Sequence, residues 1–146
     1  MAVKPVPEGY QTVIPYLIIK NPASTIEFAK NVLNAVVLDK METPEGEIVH
    51  AELRIGDSVV MMGQSSEQYP PQPCMLHIYI TDVDEAFNRA VKAGAKVVRA
   101  LENQFYGDRS ALVADANDIS WNLSTHVEDV TPAEMQKRAE DYYKSK

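Results

Sequence analysis

The stretch HAELRIGDSVVMM, residues 50–62, is two strands and the turn between them. Val49, Ala51, Leu53 and Ile55 alternate with His50, Glu52 and Arg54, the period-2 pattern of a strand with one buried face. Gly56-Asp57 is a two-residue hairpin signal, and SVVMM is the returning strand. Directly opposed residues of a hairpin share a face, so this turn sets Glu52 beside Met61 and His50 beside Gly63. One face is apolar. The other carries His50, Glu52, Val59 and Met61.

Working outward, TVIPYLIIK (12–20) reads as a buried strand. Asn21 is placed to cap a helix with Pro22 at its first position. That helix runs to about Asn34 with Ile26, Ala29, Val32 and Leu33 on one face. AVVLDKM (35–41) is a strand, TPEG a loop, and 64–73 a proline-rich linker. The pattern then restarts. CMLHIYI (74–80) is a strand, Asp82 a cap, and 83–93 a helix carrying Ala86, Phe87, Ala90 and Val91, ended by Gly94. AKVVRAL, RSALVADA and ISWNL are strands, the last two joined at Asn117-Asp118. A final helix over 131–145 opens with a Thr131–Glu134 capping box and Pro132.

A single ungapped shift of 61 residues, the separation of Asn21 from Asp82, also superposes Gly46 on Gly107 and Gly56-Asp57 on Asn117-Asp118. The expected fold is therefore α+β: two tandem βαβββ modules (12–63 and 74–126) forming a curved mixed sheet around a cavity, plus a C-terminal helix. In each module one sheet face covers the helix, and the other is free to line a site. A two-residue turn at 117–118 pairs Val113 with Asn122 and Arg109 with His126. It puts Arg109, Ala111, Val113, Asn122, Ser124 and His126 on the free face, and Leu112, Ala114, Trp121 and Leu123 against the helix. Alternation in 74–80 adds Met75, His77 and Tyr79 to the free face, and the repeat adds Ile14, Tyr16 and Ile18. All three histidines fall there, among aromatic and methionine side chains that suit a small molecule.

The chain has 146 residues, 45% hydrophobic and 24% charged, with net charge −7. That length supports one domain with a real core. The acidic balance argues against nucleic acid or an anionic membrane as a partner. Cys74 is the single cysteine, so no internal disulfide forms. The N-terminal MAVKPVPEGYQ has no apolar stretch, and no run of 18 apolar residues occurs, which excludes a signal peptide and a spanning helix and leads to a cytoplasmic expectation.

Five stretches carry a family resemblance: IPYLII (14–19) with IEF following, HAELRIGDSVVMM, LHIYITDVDEAF (76–87), QFYGDRS (104–110) and WNLSTHVEDVTPAEMQKR (121–138). In order, they span nearly the whole chain. The sequence resembles the vicinal oxygen chelate superfamily of glyoxalase I, bleomycin-resistance proteins and extradiol dioxygenases, and within it the PhnB-like branch. The resemblance implies a homodimer. It also implies a place for a divalent ion held by His, Gln or Glu from four strands, which maps onto Ile14, Met61, Met75 and Asn122. The first three offer no imidazole or oxygen donor and Asn122 only a neutral amide, so no metal is expected there.

Several residues carry two readings. His50, Glu52 and His77 form either a displaced metal or acid/base site or a hydrogen-bonded wall. Arg109 either clamps an anionic group or makes a salt bridge to Asp108 or Glu52. Phe105 and Tyr106 stack on a flat ligand or pack at a dimer interface. Met61 and Met75 either fill space or bind a soft metal, and Cys74 is either a nucleophile or a small buried apolar residue, with the space-filling reading favoured for all three. The resulting expectation is a protein without the usual metal that binds a small apolar or aromatic molecule through Tyr16, His50, Glu52, Met61, Met75, His77, Tyr79, Phe105, Arg109 and Asn122. The competing expectation is a glyoxalase- or dioxygenase-type enzyme with displaced ligands.

Overall fold

A computed structural model describes residues 2–146. The elements are β1 (Tyr16–Ile19), α1 (Pro22–Leu33), β2 (Val36–Glu42), β3 (Ile48–Ile55), β4 (Ser58–Gln64), β5 (Cys74–Tyr79), α2 (Val83–Lys92), β6 (Lys96–Asn103), β7 (Asp108–Ala114), β8 (Ile119–His126) and α3 (Pro132–Lys144). They form two four-stranded sheets, ordered β1-β4-β3-β2 and β5-β8-β7-β6. This is the α+β, twice-βαβββ architecture with a C-terminal helix that the sequence predicts. The chain divides into two compact units. One runs up to Cys74 and includes Asp115–Asp118. The other is Met75–Ala114 with Ile119–Lys146. No helix among the described residues is long and apolar enough to cross a membrane.

In the first unit, α1 buries Ile26, Phe28, Ala29, Val32 and Leu33. The helix-facing side chains of the sheet, Leu17, Ile19, Ala51, Leu53, Val60 and Met62, are closed from solvent with them. Each such aliphatic side chain contributes about 1.5–3 kcal/mol by leaving water. The 56–57 turn, with Gly56 at φ +58, gives the register expected of it: His50 opposes Gly63 and Glu52 opposes Met61. β1 is shorter than the 12–20 expected. Beyond it, Gln11 takes over the edge of β4: its amide nitrogen donates to the Val59 carbonyl (2.7 Å) and its amide oxygen accepts the Val59 N–H (3.2 Å). Asn21 sits at the α1 N-cap without a side-chain cap bond.

In the second unit, Ala86 and Ala90 let α2 approach the sheet closely over Ala111, Val113, Trp121 and Leu123, all fully buried. Asp82 and Thr131 cap α2 and α3 as expected, accepting from the N–H groups of Glu85 and Glu134.

The second hairpin overturns the sequence reading. Val113 opposes Trp121 and Leu112 opposes Asn122. Arg109 opposes Thr125, and His126 opposes Asp108. The turn is not two residues long. The Asp118 N–H donates to the Asp115 carbonyl (3.0 Å), the Asp115 carboxylate accepts the Asn117 N–H (2.9 Å), and Asp118 is left-handed at φ 60. Ala114 opposes Ser120 across this longer turn. One added residue reverses the facing of the whole of β7, because the side-chain period is two. Arg109, Ala111 and Val113 therefore face α2, whereas Asp108, Ser110, Leu112 and Ala114 share the free face with Asn122, Ser124 and His126. The 61-residue shift is also broken at this turn.

Candidate functional site

On the free face of the first unit, Asp39, Glu52, Met61 and Tyr16 stand in a row across β2, β3, β4 and β1. Tyr16 leans over Gly63, where a side chain would collide with it: a Cβ there would lie 2.7 Å from the Tyr16 hydroxyl. The hydroxyl thereby reaches His50 Nδ1 at 3.1 Å. His50 Nε2 lies 3.0 Å from one Glu52 oxygen, and the Tyr10 hydroxyl donates to the other. The proton inventory fixes the directions. An ionised Glu52 only accepts, so His50 Nε2 carries hydrogen, and in the neutral ring Nδ1 accepts from Tyr16. The bonds from His50 and then Tyr10 hold the Glu52 carboxyl below its ordinary range, and the same carboxylate raises the Tyr10 phenol. No sequence pattern marks Tyr10 and Gln11. They lie before the first strand, with no periodicity to mark them.

On the free face of the second unit, Arg99 opposes Leu112, and Leu112 opposes Asn122, across β6, β7 and β8. A bulge between Val97 and Arg99 sets this up. In unbroken register, Val98 would oppose Leu112 and Arg99 would turn to the α2 side. Arg99 Nη2 donates to Asn122 Oδ1 (2.9 Å) and Ser110 Oγ (2.8 Å). Asn122 Nδ2 lies 2.8 Å from His77 Nδ1 on β5. His77 and Tyr79 rings are 4.7 Å apart, and both Tyr79 and Met75 are more than half exposed. The Tyr79 hydroxyl donates to buried Asp108 (2.8 Å). His126 bridges Asp108 through Nδ1 (2.9 Å) and Asp129 through Nε2 (2.8 Å), which favours its charged form and raises its pKa. Tyr79, Ile80, Thr81, Thr125 and His126 line a shallow open depression.

Two candidate residues are engaged elsewhere. Arg109, expected on the free face, makes a two-nitrogen clamp on Asp84 of α2 (2.9 and 3.1 Å) rather than pairing with Asp108 or Glu52. Phe105 packs on Tyr142 of α3 with ring centroids 5.1 Å apart, and Arg138 of α3 donates to the Phe105 carbonyl.

Residues 11–123, which include all eight strands but the last three residues of β8, match a known family model described as glyoxalase/bleomycin resistance protein/dioxygenase superfamily. The chain belongs to that superfamily. It is similar to an uncharacterized protein of Mycobacterium bovis, 38% identical over 133 residues that cover 84% of this chain and 88% of that one. Among solved structures it is similar to TioX from Micromonospora sp. ML1, with TM-score 0.69 and 26% identity over 80% of this chain and 99% of that one. It is also similar in fold to TnmS3, an antibiotic binding protein from Streptomyces sp. CB03234, with TM-score 0.62 and 17% identity over 86% and 98% of the two chains.

The superfamily's metal can be tested against these side chains. Ile14, Met61 and Met75 present no hard donor, and the Asn122 oxygen already accepts from a guanidinium, which repels a cation. His50 has both ring nitrogens committed within its own unit, and His77 Nδ1 is held by Asn122. Among the described residues no group of three His, Cys, Asp or Glu could hold a metal ion. The donor set does not fit a divalent ion.

Proposed function

We propose that this protein is a small-molecule-binding member of the superfamily, of its PhnB-like branch. It acts in the cytoplasm as a homodimer and takes an apolar or aromatic ligand without the usual metal. The observation that carries this reading is the character of the free faces. Tyr16, Met75 and Tyr79 stand more than half exposed there, although large apolar side chains usually leave water. In the first unit His50 and Glu52, and in the second His77 and Asn122, are locked by hydrogen bonds into fixed directions. Exposed aromatic surface with a few fixed polar groups is how small-molecule sites combine affinity with orientation. The occupants of the four metal-equivalent positions support the metal-free part, and the PhnB-like sequence stretches support the branch.

A thermal-shift panel of aromatic antibiotics and metabolites, run with and without a chelator, tests the reading. A dose-dependent shift that the chelator leaves unchanged is expected. It should be lost in Met75→Asp and Tyr79→Asp. Stoichiometric Ni, Zn, Mn or Fe in the purified protein, lost on mutating His50 or His77, would replace this reading with a displaced-ligand enzyme.

A further inference from the structure

Arg99 is a cation without a counter-charge. Arg89, Arg109 and Arg138 are each ion-paired with a carboxylate, and the ion pairs among the described residues include neither Arg99 nor Arg54. Its Nη2 is used by two neutral oxygens, of Ser110 and Asn122. Its Nε is buried with no partner. Its Nη1 is in neither of those bonds, and the residue as a whole is only partly buried. Glu102 opposes Ser110 on the same face without pairing to Arg99, and Asp108 is already held between Tyr79 and His126. Ser124, fully buried and opposite Ser110, has a hydroxyl with no partner. A partly desolvated guanidinium among neutral dipoles is costly unless something anionic completes it.

We infer that Arg99 is an anion clamp, and that the ligand is an aromatic or apolar molecule bearing an oxyanion, a carboxylate above all. This rests on the small-molecule reading above and names the ligand class of the same site. The bulge aims Arg99, while Asn122 and Ser110 fix its plane. The Nη1 edge meets the oxyanion while the ligand's apolar body lies over Leu112 toward His77 and Tyr79. Guanidinium binds planar oxyanions in this way because its donors match their geometry.

The test is calorimetry with 2-naphthoate, its neutral counterpart 2-naphthamide, and inorganic phosphate. Wild type should bind the naphthoate at least about tenfold more tightly than the amide, the scale of one charge-assisted contact. Arg99→Gln should erase that preference. Asn122→Glu should erase it too, by supplying an internal carboxylate, and this second variant covers the case in which Arg99→Gln fails to fold. Phosphate should compete weakly with the naphthoate. If phosphate alone binds as tightly, the site serves a free ion and the aromatic part is overturned. Equal affinity for naphthoate and amide in wild type, or a preference that survives Arg99→Gln, overturns the clamp and leaves the small-molecule reading standing. Binding of neither aromatic compound overturns both.

Discussion

The Tyr16 hydroxyl lies 3.1 Å from His50 Nδ1, and glycine at position 63 is what lets it lie there. Gly63→Ala would place a methyl 2.7 Å from that hydroxyl and 3.0 Å from Cε1 of the ring. The ring is the mobile end of a half-exposed side chain, so it should swing away without disturbing the strand. The expected result is loss of the Tyr16–His50 bond at a cost of about 1 kcal/mol. Nitrogen-15 NMR of the imidazole should show Nδ1 losing its donor. An unchanged His50 spectrum would contradict the arrangement.

Glu52 gives a pH signature. Its carboxyl is held below the ordinary 4.5 by His50 first and Tyr10 second. The unfolded chain therefore takes up its proton first as the pH falls. The stabilisation is present above the unfolded value and disappears as pH drops through the folded one. Glu52→Gln should cost about 1–2 kcal/mol at pH 7 and at pH 6, with the difference from wild type shrinking below pH 4.5. Urea unfolding across that range measures it. A difference independent of pH would mean that the carboxylate charge is not what His50 and Tyr10 recognise.

His126 works in the opposite direction. Asp108 and then Asp129 raise its pKa above 6.5. Its contribution is complete below pH 6.5 and is lost as pH rises through the folded value. Replacement by Gln should destabilise the protein at pH 6 and much less at pH 9. Proton NMR of the ring should give a midpoint above 6.5, and a midpoint below it would count against the bridge.

Gly107 and Gly46, related by the sequence repeat, should respond differently to alanine. Both have positive φ, +97 and +87. A Cβ at Gly107 would sit 2.2 Å from the Glu128 carbonyl oxygen, while one at Gly46 meets nothing within 4 Å. The Gly107 carbonyl also accepts the N–H groups of Val127 and Glu128 (2.9 and 3.1 Å), so the backbone cannot drift apart cheaply. Gly46→Ala should cost about 1 kcal/mol and Gly107→Ala more than about 3 kcal/mol. Equal losses in chemical denaturation would show that the close approach at Gly107 is not real.

What the sequence determined by itself is everything carried by period, caps and tight turns. Alternation in 49–55 with Gly56-Asp57 fixed the first hairpin to the residue, and with it the sharing of a face by Glu52 and Met61. Asp82 and Thr131 marked their helices because a side-chain oxygen three residues before a free N–H is a local device. What only the tertiary structure decided were the facings that hang on one residue of register. Asn117-Asp118 looks like a two-residue turn, yet the carbonyl and side chain of Asp115 draw one more residue into it, and that sends Arg109 to the helix. The bulge beside Val98 brings Arg99 to Asn122 in its place. Neither is visible in a local pattern. A strand's side chains alternate strictly, so which of its two faces meets the ligand is set by a single residue, and that residue is selected by hydrogen bonds formed after the chain has folded.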